Sequence, residues 1–247
     1  MSEVPVAKPP WTGVGKRLES ATRKALFDYK MVEGVDRIAI ALSGGKDSLS
    51  LLFLLAAISG RGFPPFKIDA IHIMGAFSCG AGVSVDYLSK ICKALDVNFL
   101  TRETDQKLED LECYSCSRER RRLLFEAAKS QGATTIAFGH HRDDSAQTVL
   151  MNLFNKGEFA GNLPKVKMHD YGVTIIRPLI YVAEADIKTF AEQQGFKRIL
   201  CRCPVGQKSM RRKVEELLAE IEHLYPNVRD NIARAALLFG SDKALRK

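Results

Sequence analysis

The stretch Ile38-Ala39-Ile40-Ala41-Leu42-Ser43-Gly44-Gly45-Lys46-Asp47-Ser48-Leu49-Ser50-Leu51-Leu52 decides the reading of this chain. Its first third is apolar and β-prone, its middle is small and polar, and its last third has the pattern of a largely buried helix. That is a strand, a tight turn and a helix N-terminus. The turn holds what a phosphate requires. Gly44 and Gly45 allow close backbone approach and positive φ. The first N–H groups of the helix face an anion, and the helix dipole favours it. Ser43 and Ser48 add hydroxyl donors and Lys46 a positive charge. Asp47 is the odd member, because a carboxylate beside a phosphate suits Mg²⁺ or work on the reacting group. A Gly-Gly turn that merely joins strand to helix is the weaker reading, since strand, turn chemistry and helix agree.

The pattern is not a Walker A loop, which needs four residues between its first glycine and the Gly-Lys pair. Gly13-Val14-Gly15-Lys16-Arg17 comes nearest and fails at the Ser/Thr position. Ser43 to Ser48 resembles instead the SGGxDS pyrophosphate-binding loop of the PP-loop ATP pyrophosphatases. The resemblance implies cleavage of ATP between its α and β phosphates, with adenylation of a carbonyl or amide oxygen.

With 247 residues, the chain can bury one sizeable α/β core with a small helical appendage. Its 46% hydrophobic and 27% charged residues are those of an ordinary globular protein. No apolar run reaches membrane-spanning length, and Met1 to Pro10 lacks a signal-like apolar segment, so a cytoplasmic location and no membrane partner are expected. A formal charge of +8 suits a polyanionic partner, and the clustering of the basic residues strengthens that reading. The clusters are Arg118 to Arg122, Lys156 to Lys167, Arg198 to Arg202 and Lys208 to Lys213. On one rim they would form a track for RNA phosphates, with Phe154, Phe159 and Tyr171 available to stack on bases.

Periodicity predicts a basic helix over 16–31 closed by Gly34, then a strand over 37–42 and a helix over 47–59. A strand over 67–74, a helix over 84–95 and a strand over 97–101 follow. Ser117 reads as the N-cap of a helix over 118–130, before a strand over 134–138 and a helix running to about Asn155. Gly157 to Tyr171 reads as a long polar, basic loop. A strand over 173–177, a helix over 183–194 and C-terminal helices over 210–225 and 227–239 complete the chain. The alternation predicts an α/β fold with a doubly wound, mostly parallel sheet and a small helical C-terminal extension. The expected divisions are a lead and basic helix at 1–35, the nucleotide domain at 36–200, and the extension at 201–247.

Six cysteines in a chain expected in the cytosol are not a disulfide framework. Cys92 sits in a helical stretch and Cys79 in a small-residue loop, and neither has a partner nearby in sequence. Cys113-Tyr114-Ser115-Cys116 precedes Arg118, Arg120, Arg121 and Arg122, a setting that lowers thiol pKa. With Cys201 and Cys203 the thiols suffice for structural zinc, or for three or four ligands of a [4Fe–4S] cluster, and counting does not choose. Asp143 and Asp144 lie in Gly139-His140-His141-Arg142-Asp143-Asp144 at a strand-to-helix junction. They read either as helix caps or as acids at the carboxyl ends of parallel strands.

The Ser-Gly-Gly-Lys-Asp-Ser loop, the Cys113/Cys116 pair with its Arg-rich helix, Gly139 to Asp144, Ile176-Arg177-Pro178-Leu179, Cys201/Cys203, Gln207 and Arg211-Arg212-Lys213-Val214 occur in order. Together they resemble the tRNA 2-thiocytidine synthetase family across about residues 16–225. The resemblance implies an ATP-dependent tRNA sulfurtransferase that adenylates O2 of an anticodon-loop cytidine and replaces it with sulfur. It implies ATP and Mg²⁺ at Ala41, Ser43, Gly44, Gly45, Lys46, Asp47, Ser48, Ile73, Arg121, Gly139 and Asp144. It implies chemistry at Lys46, Asp47 and Asp143, and a sulfur-delivering [4Fe–4S] cluster on Cys113, Cys116 and Cys201, with Cys203 the alternative because the late cysteines are spaced CxC. Implied partners are tRNA, a sulfur donor such as a cysteine desulfurase, and a second copy in a homodimer. Two other readings stand beside this one. The first is a PP-loop thiolase for a tRNA uridine or a small molecule, disfavoured by cysteine-free tails. The second is a zinc-stabilised RNA-binding module without catalysis.

Overall fold

A computed structural model describes residues 4, 8–75, 84–104, 113–197 and 210–243, with the side chains of Cys113 and Tyr114 left out. Cys79, Cys201, Cys203, Gln207 and the 198–202 basic cluster lie outside the described residues.

Strands β1 (Arg37–Ala41), β2 (Lys67–Met74), β3 (Asn98–Glu103), β4 (Thr135–Ala137), β5 (Lys165–Met168) and β6 (Val173–Ile176) form a six-stranded sheet in the order β3-β2-β1-β4-β6-β5. All pairings are parallel except β5 with β6. The chain moves outward from β1 to β3, then returns to lay β4 on the other side of β1. This reversal between β1 and β4 opens a crevice at the carboxyl ends of those strands, where α/β sheets bind ligands. The phosphate-type loop leaves β1 and the Gly139 to Asp144 segment leaves β4, so the topology alone sets them side by side.

Helices cover both faces. Helix α2 (Lys46–Ile58) is the central one: Leu49, Leu51, Leu52, Phe53, Leu54 and Leu55 are all buried, as its unbroken apolar run requires. It packs with α1 (Gly13–Asp28), α3 (Val85–Ala94) and α6 (Glu184–Gln193) in one core. Helix α4 (Cys113–Ser130) fills the other face through Leu124, Phe125, Ala127 and Ala128 against Ala39, Ile71, Ile73 and Ile136. Two C-terminal helices, α7 (Met210–Leu224) and α8 (Val228–Phe239), pack through Val214, Leu218 and Ala233 onto Ala146 of α5 (Arg142–Lys156).

Four local expectations need correction. The 157–171 loop contains β5 and a 3-10 turn at His169–Tyr171. Its lysines alternate with Val166 and Met168 in the register of an edge strand, so high charge concealed the period of two. Helix α1 stops at Asp28, and Lys30 rather than Gly34 makes the first left-handed turn, at φ 47°. Helix α4 begins at Cys113, so Ser117 lies inside it and the cysteine pair occupies its first turn. Helix α5 is capped by His141, not by Asp143 or Asp144.

A charged cluster ties the sheet together at the end remote from the crevice. Asp69 is fully buried in β2, and Nη1 of Arg37 donates to both its oxygens at 3.0 Å. Nδ2 of Asn98 donates to the same carboxylate at 2.8 Å, so β1, β2 and β3 share one acceptor. Breaking a buried, hydrogen-bonded pair is costly because the surviving charge keeps its desolvation penalty. Asp69→Ala is expected to lower unfolding free energy by about 3 kcal/mol, read as a shifted urea midpoint at unchanged slope.

Candidate active site

The loop after β1 is built by its own small polar groups. Gly44 takes φ 83°, a left-handed conformation open to glycine. Its N–H donates to Ser48 Oγ at 3.1 Å, and the Gly45 N–H donates to Ser43 Oγ at 3.3 Å. Ser48 Oγ donates to the Gly45 carbonyl at 3.0 Å and lies 3.1 Å from Ser43 Oγ. Gly45 is the N-cap of α2, with no side chain accepting from the first turn. The leading N–H groups of this buried helix therefore face the crevice, as an anion site requires. Behind the loop, the buried His72 Nδ1–H donates to the Leu42 carbonyl at 2.7 Å, and the Leu42 N–H donates to the Ile71 carbonyl at 2.9 Å. These bonds fix where the chain leaves the sheet. Burial, with help from Arg120, holds His72 below its ordinary pKa.

Gly139 presses against this loop. A Cβ there would meet the Asp47 carbonyl carbon at 3.0 Å, its oxygen at 3.1 Å and the Ser48 nitrogen at 3.1 Å. The glycine is thus required by close backbone approach rather than by an unusual φ. Gly139→Ala is expected to push the α2 N-terminus outward and weaken Mg-ATP binding about tenfold, roughly 1.4 kcal/mol. Calorimetric titration beside an unchanged far-UV spectrum checks this.

Beyond Gly139, His141 organises the acids. Its buried side chain accepts from the Asp144 N–H at 3.4 Å, while the Asp144 carboxylate accepts from the His141 N–H at 3.0 Å, a capping box. His141 Nε2 lies 3.4 Å from Asp144 Oδ2 and 3.7 Å from Asp47 Oδ1. Asp47 and Asp144 thereby converge on the same imidazole nitrogen. Arg211 Nη1, from the first turn of α7, reaches Asp144 Oδ1 at 3.0 Å.

Asp143 has a different task from its neighbour. It is buried, and its Oδ2 accepts from the Glu184 N–H at 2.9 Å, which caps α6. Its other oxygen lies 3.9 Å from Nε of the buried Arg229. Arg229 also donates two bonds to Glu215, at 2.9 and 2.8 Å, and one to Glu222 at 2.9 Å. The two C-terminal helices are thereby tied to the residue behind the site.

Lys46 lies between carboxylates. Its Nζ is 3.0 Å from both oxygens of Asp47 and 2.9 Å from Glu184 Oε1. Burial works against its charge, but Asp47 and Glu184 outweigh burial and raise its pKa. Burial likewise opposes the charge of Glu184, yet bonds from Lys46 and Lys188 bring it down to about 2.

A cluster of basic side chains lies within electrostatic reach of Asp144. Arg121 of α4 is exposed, His140 stacks on Phe138 with centroids 5.6 Å apart, and Arg177 follows β6. Burial first, then Arg177, pushes His140 down to about 4, with Arg211 and Arg121 adding and Asp144 opposing. Burial also lowers Arg177 to about 10, with Arg121 contributing and Asp144 again opposing. In the unfolded chain His140 titrates near its ordinary 6.5, so between pH 6.5 and 4 the unfolded state binds the extra proton. Stability should fall as pH drops through that window and level off below it. His140→Gln should remove this component of the pH dependence of the urea midpoint.

Of the other expected site residues, Ala41 ends β1, and Ile73 is buried near the end of β2, on the face covered by α4. Cys116 is half-buried, one helical turn after Cys113. Both cysteines open the helix that follows β3 in the chain, and that places them toward the carboxyl edge of the sheet, where the Ser43 to Ser48 turn also lies after β1. Cys92 is fully buried and burial pushes its thiol up to about 12, as suits a core residue. Among the described residues no group of three or more His, Cys, Asp or Glu side chains is arranged to hold a metal ion, and no helix is long and apolar enough to cross a membrane.

Comparison with known proteins decides the family. The model of the PP-loop domain matches residues 16–199. A tRNA-cytidine(32) 2-sulfurtransferase of Dechloromonas aromatica is 34% identical over 89% of this chain and 79% of its own length. That of Anaeromyxobacter dehalogenans is 36% identical over 89% of this chain and 78% of its own. The chain belongs to the tRNA-cytidine(32) 2-sulfurtransferase family of PP-loop proteins. Among solved structures, the U34-tRNA thiolase of Methanococcus maripaludis with its [4Fe–4S] cluster superposes with a TM-score of 0.74. It is 25% identical over 90% of this chain and 78% of that one. The Ser43 to Ser48 turn lies within the matched PP-loop domain, and its open α2 N-terminus, Gly44 conformation and close Gly139 approach have the chemistry of an anion-binding turn.

Three groups at the site were not singled out from sequence. His72 sits mid-strand and looks like a core position. Glu184 begins an ordinary helix. Arg229 lies 86 residues from the Asp143 it approaches, by the numbering of the chain. Only Glu184 carried a local signal, a carboxylate in a first helical turn, and that is common on any helix.

Proposed function

We propose that this protein is an ATP-dependent tRNA sulfurtransferase that converts an anticodon-loop cytidine to 2-thiocytidine. The observation that carries the reading is the family membership of nearly the whole chain, combined with a nucleotide loop and a cysteine-bearing helix on one edge of the sheet.

The N–H groups of the α2 N-terminus, with Ser43 and Ser48, bind the β and γ phosphates of ATP. Lys46 donates to the oxygens that gain charge as pyrophosphate leaves. The cytidine O2 attacks the α-phosphorus, the bond to the β-phosphate oxygen breaks, and its electron pair departs with pyrophosphate. Sulfur then replaces AMP at C2. Asp47 and Asp144 are the carboxylates that would hold Mg²⁺, which when bound neutralises phosphate charge. Asp143 serves this site from behind, by fixing α6. Arg121, Arg177 and Arg211 supply positive charge for the RNA backbone next to the reacting base.

Cys113 and Cys116, one turn apart, would hold a [4Fe–4S] cluster together with Cys201 or Cys203, since three thiolates suffice as protein ligands. When bound, the cluster supplies the sulfur-handling chemistry. Anaerobically purified protein given tRNA, Mg-ATP and sulfide should yield AMP, pyrophosphate and 2-thiocytidine in equal amounts. A colourless protein with stoichiometric zinc and no product would favour the RNA-binding module instead.

A further inference from the structure

We infer that Glu184 is a positioning residue for the nucleotide loop: it holds the Lys46 ammonium at the angle from which it meets the leaving pyrophosphate. The inference deepens the proposed function and rests on its assignment of ATP cleavage to the Ser43 to Ser48 loop.

Glu184 is fixed from several sides. Its backbone N–H donates to Asp143 Oδ2 at 2.9 Å, which locks the first turn of α6. Its Oε2 accepts from Lys188 Nζ at 2.9 Å, one turn further along the helix. Its Oε1 meets Lys46 Nζ at 2.9 Å. A carboxylate at this end of a helix is also favoured by the dipole. Farther back, Arg17 of α1 donates to Asp186 at 2.7 Å and anchors the same turn.

A lysine ammonium has three donors on a flexible stem. Here Asp47 at 3.0 Å and Glu184 at 2.9 Å engage it from two directions. Three acceptor oxygens thus face its three donors, and a phosphate oxygen would exchange for one of the two Asp47 contacts while Glu184 keeps its hold. Asp47 cannot supply this restraint alone, because it adjoins Lys46 in the first turn of α2 and is carried by the same helix. Glu184 comes from an independent helix, so it fixes the ammonium relative to the rest of the sheet. The path from Asp143 through Glu184 to Lys46 also gives the Gly139 to Asp144 segment a physical reason to matter at the nucleotide loop. Restraint of a group that acts on developing charge appears in the rate of the chemical step. It need not appear in ground-state affinity, since Glu184 itself repels the bound triphosphate.

The test is a double-mutant cycle on the full-length protein carrying its cluster. Mg-ATP affinity is measured by titration, and pyrophosphate release in a single turnover, both with tRNA and with water as acceptor. Glu184→Gln keeps the size and an acceptor oxygen. It should leave the Mg-ATP Kd within threefold of wild type and slow pyrophosphate release at least tenfold. Glu184→Asp, which keeps the charge, should recover part of that loss. In a Lys46→Ala background Glu184→Gln should add less than twofold, since its whole effect passes through Lys46. An unchanged release rate in Glu184→Gln, or additive losses in the double variant, would overturn the inference. Wild-type 2-thiocytidine formation reads the proposed function separately. The variant-to-wild-type ratio with water as acceptor reads Glu184 even if tRNA is not the acceptor.

Discussion

Lys46→Ala should slow single-turnover release of pyrophosphate by about 10²–10³-fold, the loss seen when one well-placed donor to developing negative charge is removed. The expectation follows from where Lys46 sits. It opens α2 and is held between Asp47 and Glu184, and these two neighbours keep it protonated against the effect of burial. Affinity for Mg-ATP should fall far less, because the backbone N–H groups of the α2 N-terminus and the two loop serines remain. The fold should survive, since Lys46 contributes nothing to the apolar core beneath it. Lys46→Arg should not restore the rate. A planar guanidinium does not fit the position of a compact ammonium between two carboxylates.

Cys113→Ala should remove the visible absorption of the iron–sulfur cluster and abolish 2-thiocytidine formation, while Mg-ATP binding stays within threefold of wild type. The separation follows from the architecture. Cys113 and Cys116 belong to the first turn of α4, which follows β3 in the chain, whereas the Ser43 to Ser48 turn joins β1 to α2. The α4 residues that build the core, Leu124 to Ala128, lie about three to four turns beyond Cys113, so loss of one thiol leaves the packing intact. Cys201→Ala should behave like Cys113→Ala. Cys203→Ala should keep its absorption if Cys201 is the third ligand, and the reverse pattern would assign Cys203. Iron and acid-labile sulfide analysis of protein purified without oxygen reads all three.

Much of this was legible in the sequence because local signals agreed. The apolar run of β1, the paired glycines and the buried leucines of α2 each pointed to a phosphate site at a strand-to-helix turn. The alternation of elements then placed Gly139 to Asp144 on the same edge. Other features depended on distant partners. Asp143 and Asp144 are adjacent and chemically equal in sequence. Only the arrival of α6 makes one a helix cap, while His141 turns the other toward Asp47. The role of Glu184 was invisible for the same reason. Strand β5 was missed because an edge strand rich in lysine looks like a solvated loop. The start of α4 was misplaced because Ser117 is a good cap by type, yet the helix continues through it to Cys113.

The most direct measurement is mass spectrometry of tRNA nucleosides from a strain lacking this protein, compared with its parent and with the strain complemented by wild type or Lys46→Ala. We expect 2-thiocytidine to disappear in the deletion, to return with wild type and to stay absent with Lys46→Ala, while 2-thiouridine derivatives are unchanged. Persistence of 2-thiocytidine in the deletion, or loss of a thiolated uridine instead, would contradict the assignment.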